Sequence, residues 1–271
     1  MTDFKDKNVL ITGAASGIGR IMTKRMAELG ANLHLWDINH NGLDSLSEEL
    51  NGMTNHVHNY VLDISDRQAI YDTAKKVLDR CKYIDILIND AGIVSGKPLL
   101  EASDEDIIRT FNVNALALFW TAHAFLPGMI EQNSGHVVTV SSAGGVVGTA
   151  KLVDYCSSKF AAFGFDESLR LELKRQKVKV NTTIICPYYI DTGMFKGVKT
   201  RFPWLLPILK PEYVANKIVK AILKNRKKVV MPPFVMVSYP IRILPTPWFD
   251  FLIDFFGINK SMDEFTGREE N

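Results

Sequence analysis

Two side chains four residues apart, Tyr155 and Lys159, could together remove a proton from an alcohol. Residues at this spacing share one face of a helix, and a helical pattern runs from Val153 to about Arg175. A tyrosine has a pKa of about 10, so alone it is a poor base at neutral pH. An ammonium about 5 Å away would lower that pKa by about two units at an effective dielectric constant of about 20. The pair predicts a catalytic base, and a half-buried tyrosine beside a solvated lysine is the structural alternative.

A serine that could hold a substrate oxygen lies upstream of this pair. Ser142 follows a strand pattern at His136–Val140, and ligands of open parallel sheets bind at the carboxyl ends of strands. Its hydroxyl would therefore lie beside the phenol of Tyr155. Ser141 would serve equally well, and a serine in a polar loop without a catalytic role is the structural alternative.

A glycine cluster could hold the phosphates of a nucleotide. The spacing TGxxxGxG runs from Thr12 to Gly19, between a strand pattern and a helix pattern. Glycines allow a tight turn there and let backbone N–H groups approach a pyrophosphate at the helix N-terminus. An ordinary tight turn would also be rich in glycine, but the place of this cluster at the first strand-to-helix junction favours a dinucleotide site.

The carboxylate of Asp37 indicates which dinucleotide would bind. Asp37 ends the second strand pattern, where it could accept hydrogen bonds from both adenosine ribose hydroxyls and repel a 2′-phosphate. Neither Ala15 nor Ser16 offers a compensating positive charge. The sequence therefore favours NAD over NADP as the cofactor, with a helix-capping role for Asp37 as the alternative.

A parallel sheet would bring these residues together. Apolar runs alternate with helix-period stretches, which predicts an α/β fold: a Rossmann-type, doubly wound parallel sheet with helices on both faces. The predicted strands are Asn8–Thr12, Asn32–Trp36, His56–Val61, Asp85–Ile88, His136–Val140, Lys179–Ile185 and Lys228–Met231, with a helix at Pro211–Lys224 before the last. Residues 1–231 are expected to form a single NAD-binding domain, and residues 232–271 an apolar C-terminal extension.

Composition excludes several classes of function. The chain has 271 residues, of which 46% are hydrophobic and 23% charged, as is ordinary for a soluble globular domain. Its formal net charge of +2 is too small to recruit nucleic acid. Cys81, Cys156 and Cys186 lie in separate segments without the spacing of a zinc site, so neither a metal nor a disulfide framework is expected. A reducing, cytoplasmic compartment fits this pattern.

Three segments bear on membrane contact. The N-terminus is charged and enters a strand at once, so no signal peptide or N-terminal anchor is expected. The run Thr110–Ile130 is long enough to span a bilayer, but it contains polar residues and Pro127, so a buried helix of a soluble domain is expected. The segment Pro232–Ile258 is aromatic and apolar and is divided by prolines.

A short helix in that last segment has two interpretations. Its apolar residues at helical spacing are Trp248, Phe251, Leu252, Phe255 and Phe256. This stripe either packs the extension onto its own domain or lies at a lipid interface near the mouth of the pocket. In the second case Arg242 and Lys260 would meet lipid headgroups, and the protein would be peripheral to a membrane.

The order and spacing of these motifs resemble the short-chain dehydrogenase/reductase family from about Lys7 to Thr192. The motifs that carry the resemblance are TGAASGIG, Asp37, Asp63, NDAG at 89–92, Asn114, Ser142, YCSSK at 155–159 and PYYIDT at 187–192. The resemblance implies that Tyr155 is the catalytic acid/base and that Lys159 lowers its pKa and holds the nicotinamide ribose. It also implies that Ser142 orients the substrate oxygen and that Asn114 supports a water chain to Lys159.

The same resemblance implies a cofactor site. Its residues are Gly13, Ser16, Gly17, Ile18, Gly19, Asp37, Asp63, Ile64, Asn89, Ala91, Tyr155, Lys159, Pro187, Ile190 and Thr192. Longer strings, such as FLPGMIEQNSGHVVTVSSAGG, are similar to the branch of retinol and 17-beta-hydroxysteroid dehydrogenases, whose substrates are bulky apolar alcohols. Two positions depart from the family pattern: Asp90 replaces the second Asn of NNAG, and Tyr188 replaces the Gly after Pro187.

These observations favour an NAD-dependent oxidoreductase that interconverts an alcohol and a carbonyl on a retinoid, a steroid or a long-chain alcohol. An apolar stretch from Met194 to Leu206 is expected to form a lid over the pocket or to pack against the following helix. A 3-oxoacyl thioester reductase and a non-catalytic NAD(H)-binding protein of lipid surfaces are the alternatives. The family likeness suggests a homodimer or homotetramer built from the helices around 104–130 and 153–175.

Overall fold

A seven-stranded sheet forms the centre of the protein. The computed structural model describes residues 2–53 and 56–267. The strands are β1 (Asn8–Thr12), β2 (Asn32–Asp37), β3 (Val57–Val61), β4 (Ile86–Asn89), β5 (Gly135–Val140), β6 (Val180–Pro187) and β7 (Lys228–Met231). All neighbouring pairs are parallel, in the order β3-β2-β1-β4-β5-β6-β7. The predicted doubly wound α/β fold is therefore confirmed.

Helices cover both faces of this sheet. They are α1 (Gly17–Glu28), α2 (His40–Leu50), α3 (Arg67–Cys81), α4 (Asp104–Phe111), α5 (Ala117–Glu131), α6 (Val153–Arg175), α7 (Pro211–Leu223), α8 (Ser238–Ile241) and α9 (Thr246–Phe255). On one face α1 packs against α7, and on the other α3 packs against α5. The sheet is consequently buried on both sides, which explains why its strands read as apolar runs.

Strand β1 contributes side chains to the apolar clusters on both faces of the sheet. Val9 and Ile11 point to the cluster that includes α1 and α7, whereas Leu10 points to the cluster that includes α3 and α5. Successive side chains of a strand face opposite sides, so a central strand needs apolar residues at every position. The chain builds the sheet in one direction from β1 to β3 and in the other direction from β4 to β7. In such sheets a crevice forms at the carboxyl ends of the strands where the direction changes, here between β1 and β4.

The apolar run 104–131 is continuous helix with an irregular middle. A π-helical stretch, Asn112–Leu116, joins α4 to α5. By length and composition this helix is apolar enough to cross a membrane, and half of its most apolar stretch is buried inside the protein. Phe125 and Met129 lie in the core beside α3. π-helical turns often mark functional positions, and Asn114 lies in this one.

The C-terminal extension packs on the domain through one side of α9. Ile253 is buried and Phe249 half-buried in a cluster with Val147. Trp248 and Phe251 are 66% and 61% exposed, and Phe255 is 45% exposed. The stripe is therefore divided between exposed residues and the half-buried Leu252 and Phe256, and whether it packs on the domain or meets lipid stays a prediction.

Candidate active site

A long cleft opens at the carboxyl ends of the strands. It extends from Asp37 and Asp63 at one end, past Tyr155, to the aromatic residues of the C-terminal extension. The sequence-predicted residues that line it are Gly13, Ser16, Gly17, Ile18, Asp37, Asp63, Ile64, Ala91, Ser142, Tyr155, Lys159, Pro187, Ile190 and Thr192. Three others, Gly19, Asn89 and Asn114, lie behind the lining. Residues that are far apart in the sequence thus share one cavity.

Tyr155 and Lys159 occupy the first turns of α6, and both are almost completely buried. The Nζ atom of Lys159 donates a hydrogen bond to the backbone carbonyl of Val140, at 3.0 Å. The same Nζ atom lies 5.8 Å from the centre of the Tyr155 ring. The end of β5 therefore fixes the lysine beside the tyrosine.

The structure distinguishes the two serines that follow β5. The Ser142 hydroxyl is close enough to the phenol of Tyr155 to lower the phenol's pKa, and its Oγ accepts a hydrogen bond from the Gly144 amide at 3.0 Å. The Oγ atom of Ser141 instead donates to the carbonyl oxygen of Lys159, at 2.8 Å. Ser142 is thus the serine that can share a substrate oxygen with Tyr155.

Burial changes the acid–base properties of this pair. It raises the pKa of Tyr155 above the ordinary value of a phenol, and the neighbouring Ser142 hydroxyl opposes that shift. It also lowers the pKa of Lys159, while the nearby Asp90 carboxylate opposes that shift. Burial is the largest influence on the pKa of Tyr155 here, and the predicted lowering of that pKa by Lys159 stays a prediction. The phenol is buried, and Val140 holds the ammonium.

Asn114 lies behind the cleft and connects the loop after β4 to α6. Its Oδ1 accepts from the Ile93 amide at 2.8 Å, and its Nδ2 donates to the Ile93 carbonyl and to Ser158 on α6. A β carbon on Gly92 would lie 3.2 Å from Nζ of Lys159 and 3.3 Å from Oδ1 of Asn114. A larger residue at position 92 would therefore press against both Lys159 and Asn114.

The glycine turn after β1 leaves room for a phosphate group. Gly13 and Gly17 have φ angles of +73° and +54°, which favour glycine. A β carbon on Gly13 would lie 2.9 Å from Cα of Ala91, so the turn sits against the loop after β4. Ser16 is the N-cap of α1, but its side chain makes no capping hydrogen bond. The first amides of α1 can therefore bind an anion, and a dinucleotide pyrophosphate fits this turn.

Asp37 supports the glycine turn from the end of β2. Its Oδ2 accepts from the Ala15 amide and its Oδ1 from the Asn39 amide, both at 2.9 Å. The cap of α2 is Asn39, whose side chain accepts from the Gly42 amide, so Asp37 is not the helix cap. An ionised carboxylate can accept about four hydrogen bonds, which leaves capacity for ribose hydroxyls.

Two further predicted positions differ in exposure. Asp63 lines the cleft, where Oδ1 accepts from the Ser65 amide and Oδ2 lies 3.7 Å from Arg109. Asn89 is buried, and its Oδ1 accepts from Oγ1 of Thr121 on α5. Asp63 can touch a ligand, whereas Asn89 connects the central strand to a helix.

The end of the cleft beyond Tyr155 is aromatic, and sequence reasoning identified only part of it. The Tyr155 and Phe195 rings are 5.6 Å apart, and the Phe195 and Tyr189 rings are 5.0 Å apart. Met194, Phe195 and Leu206 of the expected lid line the cleft, whereas Trp204 is 80% exposed. Part of the stretch therefore lines the cleft, and its role as a lid stays a prediction.

Residues of the C-terminal extension complete that aromatic end. Those lining the cleft are Phe234, Val235, Val237, Ser238, Ile241, Ile253, Phe256 and Ile258. The amides of Thr266 and Gly267 donate to the Lys196 carbonyl and so hold the extension against the lid. In the sequence the only signal for these residues is their apolar character, which any core would also require.

Comparison with known proteins places this site in a family. The short chain dehydrogenase family profile matches residues 7–201. Epidermal retinol dehydrogenase 2 of Homo sapiens is 44% identical over 266 residues, covering 97% of this chain and 86% of that protein. Estradiol 17-beta-dehydrogenase 11 of Homo sapiens is 44% identical over 239 residues, covering 88% and 79%. A short chain dehydrogenase/reductase from Burkholderia phymatum, solved in complex with NAD, has a TM-score of 0.81 and 25% identity over 89% of this chain and 94% of its own.

Proposed function

The chain belongs to the short-chain dehydrogenase/reductase family, and we propose that it is an NAD-dependent oxidoreductase that interconverts an alcohol and a carbonyl on a lipophilic substrate. One observation carries the proposal. The phenol of Tyr155, the hydroxyl of Ser142 and the ammonium of Lys159 meet where the glycine-lined half of the cleft joins its aromatic half.

The residues of this chain have distinct tasks in the proposed reaction. In the oxidation direction, the Oη atom of Tyr155 accepts the hydroxyl proton of the substrate, and Ser142 holds the same oxygen. Burial disfavours the phenolate, so a nearby positive charge must stabilise it, and Lys159 is the buried cation beside the ring. NAD, when bound, supplies the hydride acceptor.

The nucleotide half of the cleft suits NAD. The glycine turn and the first amides of α1 would hold the pyrophosphate, and Asp37 would accept the adenosine ribose hydroxyls. Asp63 and Ile64 would lie beside the adenine, and Thr192 beside the carboxamide. A 2′-phosphate would meet the negative charge of Asp37, so NADP is the poorer fit.

The aromatic half of the cleft supports an apolar substrate. Among the described residues, the charged side chains that line the cleft are Asp37, Asp63, Asp90, Arg109 and Lys159. None of them belongs to the C-terminal extension or to the lid. A thioester on a phosphate-bearing carrier would need cations there, which weakens the 3-oxoacyl reductase alternative. A non-catalytic role would leave the Ser142, Tyr155 and Lys159 arrangement without a purpose.

A substrate screen tests this proposal. Turnover would be followed at 340 nm. Retinol, estradiol and a long-chain alcohol would be tested with NAD and with NADP, and a 3-oxoacyl thioester with NADH and with NADPH. We expect turnover of at least one apolar alcohol with NAD, and none of the thioester. Turnover of the thioester alone, or equal rates for the parent and Tyr155→Phe, would contradict the proposal.

We further propose that two apolar surfaces make contacts outside the chain. Ile108 on α4, Phe119 on α5 and Leu171 on α6 are 58%, 46% and 52% exposed, and these helices contact one another or the π-helical stretch between them. Because large exposed apolar patches mark interfaces, this surface suits a homodimer or homotetramer.

The second surface lies beside the mouth of the cleft. Ile243, Trp248 and Phe251 are 87%, 66% and 61% exposed, while Phe256 on the same segment lines the cleft. We propose that this surface rests on a lipid interface, with Lys260 at the headgroups, and places the protein peripherally on a membrane. Arg242 is also exposed, and its Nε donates to the Val146 carbonyl at 2.9 Å, so it would lie near the same headgroups.

A further inference from the structure

Asp90 is a carboxyl group where the family pattern has a neutral amide. It follows β4 directly and lines the cleft, and its backbone amide donates to Oγ1 of Thr12 at 3.1 Å. Its Oδ1 is buried and has no hydrogen-bond partner within the described part of the chain. A β carbon on Gly19 would lie 2.8 Å from its Oδ2, so the carboxyl group packs against the first turn of α1.

Such a group is costly when it is ionised. A buried carboxylate without hydrogen bonds loses its hydration and gains nothing in return, unless a cation or a proton neutralises it. Among the described residues, the charges that act on Asp90 are the Lys159 ammonium, which favours its ionised form, and the Asp37 carboxylate, which disfavours it. Burial raises the pKa of Asp90 to about 7. Near neutral pH, Asp90 is therefore partly ionised and partly protonated.

The place of Asp90 brings it close to the expected phosphates. Gly13 and Gly19 belong to the turn that would hold the pyrophosphate, and Oδ2 of Asp90 packs against Gly19. A bound pyrophosphate adds about two negative charges and excludes water, and both effects favour the neutral carboxyl group. The Lys159 ammonium, which is hydrogen bonded to the Val140 carbonyl, and the first amides of α1 favour the ionised form and oppose these effects.

We propose that Asp90 takes up a proton when the dinucleotide binds, so that affinity for NADH falls as pH rises above neutrality. The inference rests on the proposed NAD site. The proton comes from the solvent and forms an O–H bond on the carboxyl group, and no other bond changes. The neutral acid can then donate a hydrogen bond, as the amide of an asparagine would. An asparagine would do so at every pH, and Asp90 makes binding depend on pH.

Equilibrium binding of NADH, followed by its fluorescence from pH 6 to pH 9, is the first test. The dissociation constant of the parent should rise by up to about tenfold per pH unit above the pKa of free Asp90, until the bound form also ionises. Asp90→Asn is nearly isosteric and has no titrating proton. Its dissociation constant should lose the rise that begins near neutral pH and keep only the dependence that Lys159 causes, because burial lowers the pKa of Lys159 to about 8.

Calorimetry tests the proton itself. Binding enthalpies at pH 8, measured in two buffers of different ionisation enthalpy, give the number of protons taken up. The parent should take up a measurable fraction of a proton, and Asp90→Asn should take up clearly less. Asp63→Asn is the matched control, because Asp63 lines the same cleft but is paired with Ser65 and Arg109. That variant should bind NADH more weakly and keep the proton uptake.

The possible results separate this inference from the proposed function. Proton uptake that persists unchanged in Asp90→Asn would assign the proton to another group, such as Lys159, and overturn the inference. NADH binding by the parent without proton uptake would also overturn it, and this result needs no variant to fold. Either result would leave the proposed NAD site intact. Failure of the parent to bind NADH at any pH would overturn both.

Discussion

The ammonium of Lys159 is tied to the carbonyl oxygen of Val140 by a hydrogen bond of 3.0 Å. This contact joins the end of β5 to the second turn of α6, so the position of the lysine depends on the sheet as well as on its own helix. One of the three ammonium protons is thereby used, and the other two can bind a ribose hydroxyl or a water.

Replacing Lys159 should therefore damage two properties at once. We expect Lys159→Ala to lower kcat by 10²-fold or more and to weaken NADH binding, because the variant loses both the cation beside the phenol and the ribose contact. Lys151→Ala is the control, since Lys151 lies outside the cleft and pairs with Asp263. Steady-state kinetics and NADH titration measure both effects, and unchanged NADH affinity would refute the ribose contact.

Removal of the Tyr155 hydroxyl should slow catalysis and leave NADH binding unchanged. Tyr155→Phe should lower kcat by on the order of 10²- to 10⁴-fold and leave the NADH dissociation constant within about twofold, because only the titrating proton is deleted. Tyr189→Phe is a matched control: its hydroxyl is hydrogen bonded to Ser261 at 2.8 Å, in the same aromatic cluster. If Tyr155→Phe keeps kcat within tenfold of the parent, Tyr155 is not the acid/base.

Asp37 should set the choice between NADH and NADPH. Asp37→Asn removes the charge and keeps an acceptor for the Ala15 or Asn39 amide, so NADPH affinity should rise about tenfold or more while NADH binding weakens modestly. Asp37→Ala should weaken NADH binding further, because the glycine turn also loses its support. Titration of each variant with both nucleotides provides the measurement. A parent that already prefers NADPH would show that this interpretation of Asp37 is wrong.

Two buried histidines should make the fold sensitive to acid. Burial lowers the pKa of His136 to about 3 and that of His34 to about 4, whereas an unfolded histidine titrates at about 6.5. The unfolded chain therefore binds more protons below pH 6.5, and stability is lost as pH falls from there toward those lower values. Each histidine contributes a slope of at most about 1.4 kcal/mol per pH unit.

Urea unfolding at pH 4.5, 5.5 and 6.5 measures that slope. His136→Gln can keep a hydrogen bond to Thr183, the partner of His136 at 2.8 Å. It should reduce the slope of unfolding free energy against pH by up to about 1.4 kcal/mol per pH unit, the effect of one proton. An unchanged slope in both His136→Gln and His34→Gln would show that other groups cause the acid sensitivity.

Local patterns were enough to locate the sheet and the nucleotide half of the site. The predicted strands agree with the structure to within two residues at each end, because a parallel strand that is buried on both faces must be apolar throughout. The glycine turn and Asp37 were also predictable, since both lie at strand ends whose order the alternating pattern fixes. Ser142 and Ser141, by contrast, could be separated only by which one reaches Tyr155.

The aromatic half of the cleft and the pKa of Tyr155 depend on tertiary packing. Phe195 meets Phe265 at 6.4 Å, although seventy residues separate them, and no local pattern indicates such a pair. The four-residue spacing predicts that Lys159 is near Tyr155, but not that both are buried. Burial raises the pKa of Tyr155, and the spacing of the two residues does not predict that burial.

The exposed apolar surface of the extension should bind lipid. Ile243, Trp248 and Phe251 are the side chains to remove, because all three are mostly exposed. Burying each in an interface is worth about 1.5–3 kcal/mol, so the variant Ile243→Ser/Trp248→Ser/Phe251→Ser should lose co-sedimentation with phosphatidylcholine vesicles. Its Tm should stay within a few degrees of the parent, since few core contacts are removed. Leu29→Ser is the control: Leu29 is 40% exposed and is the C-cap of α1, at the end of that helix away from the glycine turn, and its loss should leave vesicle binding unchanged. If the parent does not bind vesicles of any composition, the surface serves another purpose, and equal loss in Leu29→Ser would show that binding is not specific to the extension.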